Sequence, residues 1–133
     1  MKTIYTFSLV AILVTTLACG YGSKNYNNMP GSASVPAISQ LSPDNTNAGG
    51  AAFALTVNGT NFTSKAVVNW NGVAQSTTYV TGSQLVIAVP AAMTASPATV
   101  QISVTNPATG GKGPYGMGGT LAVTSQSVNF TIN

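Results

Sequence analysis

The chain has 133 residues, and only 4% of them are charged: four lysines, no arginine, no histidine and a single carboxylate, Asp44. General acid and base catalysis, metal ligation and nucleophile activation draw mainly on His, Cys, Asp and Glu, so one cysteine and one aspartate leave an enzyme without working parts. Neutralising a phosphate backbone needs clustered cations, which removes nucleic acid from the expected partners and leaves a surface of Ser, Thr, Asn, Gln and Gly.

At the N-terminus Lys2 precedes an uncharged apolar run, FSLVAILVTTLA, that ends at Ala18 and is followed by Cys19, the sole cysteine. A basic start, an apolar stretch and a small residue before the cut predict a secretory signal over residues 1–18. The run is shorter than the ~20 residues that span a bilayer. Thr16, Leu17, Ala18 and Cys19 resemble a relaxed bacterial lipobox, with Thr16 where that pattern usually has leucine. The resemblance implies acylation of Cys19; the alternative is ordinary cleavage with a free or buried thiol. A lone cysteine in an exported chain has no disulfide partner, which favours the lipid. Gly20 is not the aspartate that resembles an inner-membrane retention signal, so the expected place is the outer membrane or cell surface, with the lipid as the membrane partner. Removing Lys2 with the signal leaves three lysines against one aspartate, a formal +2.

Residues 19–35 are rich in Gly, Ser and Asn and show no alternation, which predicts a lipidated cysteine followed by a flexible tether. As a random coil, residues 20–35 have an end-to-end distance of roughly 20 to 25 Å.

From Pro36 the pattern changes to period two, broken by turn residues every ten or so positions. Phe53, Leu55 and Val57 share one face. Val68 and Trp70 share another, and Asn71-Gly72 signals a hairpin. Leu85, Ile87 and Val89 alternate up to Pro90; Val100, Ile102 and Val104 alternate in the next segment; Val128, Phe130 and Ile132 close the chain. About seven short antiparallel strands within residues 36–133 predict an all-β, immunoglobulin-like β-sandwich.

Those residues also resemble the IPT/TIG domain, over nearly all of 36–133. The matching marks are Leu41, Ser42 and Pro43 at the start, Gly49-Gly50, Gly59 with Asn61-Phe62, the Trp70-Asn71-Gly72 hairpin, Val89-Pro90 and Asn106-Pro107. The resemblance implies an early-set immunoglobulin-like fold and a non-enzymatic binding, adhesion or structural module, with no cofactor. It leaves the ligand open, because such domains occur in surface proteins, receptors and transcription factors alike. The chain carries one copy and no internal repeat.

The departure from the family lies after Asn106-Pro107, where GGKGPYGMGGTLAV precedes the last strand. A glycine-rich insertion of this length is usually functional or disordered, and it carries Lys112, Tyr115 and Met117. The B–C loop around residues 60–65, with Lys65, is expected beside it. These four residues form the candidate contact loop, facing an envelope protein or polysaccharide, with no catalytic or metal-binding residue proposed. Leu121 and Val123 either extend the last strand or form an extra edge strand. Gly111, Gly113 and Gly116 satisfy G-x-G-x-x-G in letters only, since that motif has meaning between a strand and a helix. Ser64 beside Lys65 is a formal dyad, but neighbours on a strand point to opposite faces. Trp70 has two readings, a core residue or a platform for a sugar ring; exposed aromatics would favour a carbohydrate-binding accessory domain.

Overall fold

Strands whose apolar residues fall on one face must cover that face, and this chain does so by laying two sheets against each other. The computed structural model describes residues 33–110 and 119–133. Seven main strands are present: β1 (Ala37–Ser42), β3 (Phe53–Thr60), β4 (Val67–Trp70), β6 (Thr77–Thr81), β7 (Gln84–Val89), β8 (Ala98–Asn106) and β10 (Val128–Ile132). Three two-residue strands join them: β2 (Asn45–Thr46), β5 (Val73–Ala74) and β9 (Val123–Thr124).

One sheet has the order β1-β3-β7-β6; the other runs β2-β10-β8-β4-β5, with β9 added beside β8. All pairings are antiparallel except β2 with β10. The first strand therefore serves both sheets. β1 pairs with β3, the chain turns at the cis Ser42–Pro43 peptide, and β2 then runs parallel to β10. The reading of about seven strands holds for the main elements. Of the short ones, only β9 was anticipated, as one of the two readings for Leu121 and Val123, because two residues carry no period.

The core is the predicted one. Leu55, Val57, Leu85, Ile87 and Val89 from the first sheet meet Val68, Trp70, Val100, Ile102, Val104, Phe130 and Ile132 from the second, all buried. Phe130 sits between Phe53, stacked at 5.9 Å, and Trp70, tilted at 5.5 Å, separations at which aromatic pairs attract beyond their area. Trp70 is 6% exposed, which settles it as a core residue. Val128 departs from expectation by being only half-buried, at the strand end where cover runs out.

Asn71 and Gly72 turn the β4–β5 hairpin with φ of 49° and 80°, both in the left-handed region that two-residue hairpins require. Asn71 also fixes the hairpin to its neighbour, its amide donating to the Gln101 carbonyl and its side-chain oxygen accepting from the Gln101 amide. Of the two readings for Leu121 and Val123, the structure takes the extra edge strand: Val123 pairs with Asn106 and Thr124 with Thr105. Ser125 ends that strand. Its backbone amide donates to the Val104 carbonyl, and its hydroxyl accepts from the Val104 amide, so the side chain replaces one rung before β10 begins.

Candidate functional site

β1 starts, β3 and β8 finish, and β7 starts at the same end of the sandwich, because Ala37 pairs with Thr60 and Asn58 with Gln84. The loops that follow therefore gather there: the chain entry at residues 33–36, the B–C loop at 61–66, the turn at 81–83 and the base of the F–G insertion. Asn106, the last residue of β8, ties three of them together. It is 2% exposed. Its Nδ2 donates to the Asn61 carbonyl at 2.7 Å and to the Ser34 carbonyl at 3.2 Å. Its Oδ1 accepts from the Thr63 amide at 3.1 Å and from the Thr63 hydroxyl at 3.3 Å. Two donors and two acceptor lone pairs are all an amide side chain has, and here every one is used.

The neighbouring contacts have the same purpose. Asn61 takes φ of 60°, and its Nδ2 donates to the Val35 carbonyl at 3.1 Å, giving the entry segment a second fastening. The Phe62 amide donates to the Gly82 carbonyl and the Gly59 amide to the Ser83 carbonyl, which fixes the 81–83 turn against the B–C loop. Gly59 is required by close approach: a Cβ there would lie 2.0 Å from the Ala37 carbonyl oxygen and 2.5 Å from the Phe62 ring. The missing side chain is what lets Phe62, 5% exposed, fold back under the loop and plug the end of the core.

The insertion leaves through a narrow neck. Thr109 and Thr120 form an isolated antiparallel bridge, the Thr109 amide donating to the Thr120 carbonyl and the Thr120 amide to the Thr109 hydroxyl, both at 3.0 Å. Their hydroxyls also lie 3.0 Å apart. Thr109 and Thr120 thus hold the two chain ends that flank the insertion together.

Of the sequence-predicted contact residues, Lys65 is exposed in the B–C loop at this end. Lys112, Tyr115 and Met117, like Cys19 and the segments read as a signal and most of a tether, lie outside the described residues. Ser64 and Lys65 stand in a turn, closed by the Ala66 amide on the Thr63 carbonyl, and not on a strand, so strand alternation is not what keeps them from acting as a dyad. Sequence reasoning missed Asn106 as an organiser. The letters Asn-Pro after an alternating run mark a turn; the alternation puts position 106 inward, but nothing local says that the amide meets the chain entry and the B–C loop.

Two shallow depressions lie elsewhere among the described residues. A depression of about 380 Å³ lies between residues 40–44 and the Val128-Asn129 pair, and a flatter apolar one at the other end is walled by alanines and the edge of Phe53. Neither brings together side chains that could do chemistry.

The family model of the IPT/TIG domain matches residues 36–132. The chain belongs to the IPT/TIG family. Comparison with curated proteins and with solved structures gives no match. An IPT/TIG domain is an immunoglobulin-like module of a generally non-catalytic kind, often used for binding or as a structural part, and the two-sheet architecture here is consistent with that.

Proposed function

We propose that this chain is a non-enzymatic, lipid-anchored protein of the bacterial cell envelope. Acylated Cys19 would hold it to the outer membrane or cell surface, the tether would give it reach, and the IPT/TIG domain would act as a binding, adhesion or structural module through the loop end organised by Asn106. The observation that carries this reading is the convergence of the chain entry and the B–C loop, which carries Lys65, on the buried Asn106 amide at the end of β8, from which the F–G insertion departs. On this reading Lys112, Tyr115 and Met117 complete the contact from within the insertion.

The carbohydrate-binding alternative draws little support from the described residues, where Tyr79 is the only exposed aromatic ring and no second ring lies beside it to extend a platform. Two measurements test the proposal. The mass of the mature N-terminus should show two or three acyl chains on Cys19, and Cys19→Ala should release the protein from the membrane fraction. Replacing residues 110–119 by a tight turn should leave folding intact and remove binding to isolated cell envelope; undiminished binding would make the insertion a spacer.

A further inference from the structure

The described residues expose five large apolar side chains, and their distribution is lopsided. Val35, 57% exposed, lies in the chain entry; Leu121, 70% exposed, follows the neck of the insertion. Tyr79 and Val80, 40% and 47% exposed, stand at the end of β6 where the Tyr79 hydroxyl reaches Gly82 of the loop end. Only Val73, in the β4–β5 hairpin, is elsewhere. The two charged side chains among the described residues are placed in the same sense. Lys65 is at the loop end, whereas Asp44 adjoins β2, which pairs with β10 near its finish, in the other half of the sandwich. Asp44 is the only carboxylate side chain in the sequence, so nothing acidic faces Lys65.

From this polarity we propose that the loop end of the domain docks on the lipid surface to which the chain is anchored, with Val35, Leu121, Tyr79 and Val80 entering the headgroup region and Lys65 meeting lipid phosphate. The proposal rests on the anchored reading above and names the partner of the same end. Its reasoning is one of proximity. The chain read as a tether joins the domain at Val35, beside Asn61 and the Asn106 fastening, so on average this end is held closer to the lipid than the opposite one. A short flexible linker holds what it joins at an effective concentration on the order of millimolar. A patch of four scattered apolar groups and one lysine is a poor ligand for a membrane in free solution. Attached beside it, the same patch needs only a millimolar intrinsic affinity to be docked about half the time. Apolar side chains with a cation among them suit an interface whose outer layer is anionic and whose inner layer is hydrocarbon.

The lone cysteine makes the test direct. In the lipidated protein Cys19 has no free thiol, so a cysteine introduced elsewhere is the single site for a thiol-reactive fluorophore. Two variants are compared in vesicles of phosphatidylcholine and phosphatidylglycerol with nitroxide-labelled headgroups: Ala108→Cys, exposed at the loop end, and Ser96→Cys, exposed at the opposite end. Strong quenching at 108 with little at 96 is expected. Because the tether alone brings position 108 near the lipid, the deciding variant adds Val35→Ser and Leu121→Ser to Ala108→Cys. Two half-inserted apolar side chains imply at least about a tenfold fall in the ratio of docked to undocked probe, with thermal unfolding unchanged since both residues are exposed. Equal quenching at the two ends, or quenching at 108 that ignores the serine substitutions, would overturn the docking. The mass of the N-terminus is read on the same sample. A bare Cys19 would instead refute the anchor, and docking would fall with it because this patch is too small to hold a bilayer untethered.

Discussion

Replacing Asn106 by alanine removes four hydrogen bonds at once and isolates the contribution of the loop-end fastening. The two stronger contacts, from Nδ2 to the Asn61 carbonyl at 2.7 Å and from the Thr63 amide to Oδ1 at 3.1 Å, each carry a net value of about 1 kcal/mol. The contacts to the Ser34 carbonyl at 3.2 Å and from the Thr63 hydroxyl at 3.3 Å are longer and engage groups nearer solvent, so they add a few tenths each. Alanine also leaves the Thr63 amide and the Asn61 carbonyl facing a small void, and water entering from the loop side recovers part of that penalty. The sum is a loss of about 2 to 4 kcal/mol. For a domain of this size that corresponds to a fall in Tm of at least 10 °C or so. Urea unfolding followed by the lone tryptophan, Trp70, provides the measurement, with an unchanged slope expected because the surface exposed on unfolding is the same. Asn106→Asp tests the assignment from the other side. It keeps the acceptor to Thr63 but turns a carboxylate oxygen toward the Asn61 and Ser34 carbonyls, so near neutral pH it should be no more stable than the alanine variant. A loss below about 0.5 kcal/mol for Asn106→Ala, the level of an ordinary surface change, would refute the view that this amide organises the loop end.

Three further outcomes are expected. Trp70→Ala should cost about 3 to 5 kcal/mol, since it empties the space between the sheets beside Phe130, and the wild-type tryptophan should emit at short wavelength and resist quenching by acrylamide; red-shifted, freely quenched emission would return Trp70 to the surface. Gly59→Ala should destabilise by about 1 to 3 kcal/mol through overpacking, because its Cβ would collide with the Ala37 carbonyl and the Phe62 ring, and hydrogen exchange should show β1 loosening from β3. Gly72→Ala meets no atom within 4 Å but must keep φ of 80°, so its cost is purely conformational, about 1 to 2 kcal/mol; a cost for Gly72→Ala exceeding that for Gly59→Ala would reverse this assignment of causes.

The sequence by itself determined the strands and their inward faces, because a period of two over five or more residues is a local property that burial then enforces. Leu55, Val57, Leu85, Ile87, Val89, Val100, Ile102, Val104 and Phe130 were all legible in this way, and each is buried. Asn71-Gly72 was legible as a hairpin for a similar reason, since few other pairs accept positive φ twice in succession. The scarcity of charge is likewise written in composition alone. What only the tertiary structure decided involves residues distant in the chain. The split of the first strand between two sheets depends on β10, some 80 residues away, and the two-residue strands have no period to read. The two readings of Trp70 were resolved by its burial beside Phe130, two strands away in the same sheet. The loop end is the clearest case. Asn106 connects to Thr63 and Ser34, 43 and 72 positions earlier, and no window along the sequence contains such a contact. Alternation from Val100, Ile102 and Val104 puts position 106 on the inward face, but the partners that let a polar side chain stay there, the chain entry and the B–C loop, which satisfy all four of its hydrogen-bonding positions, come only from the fold.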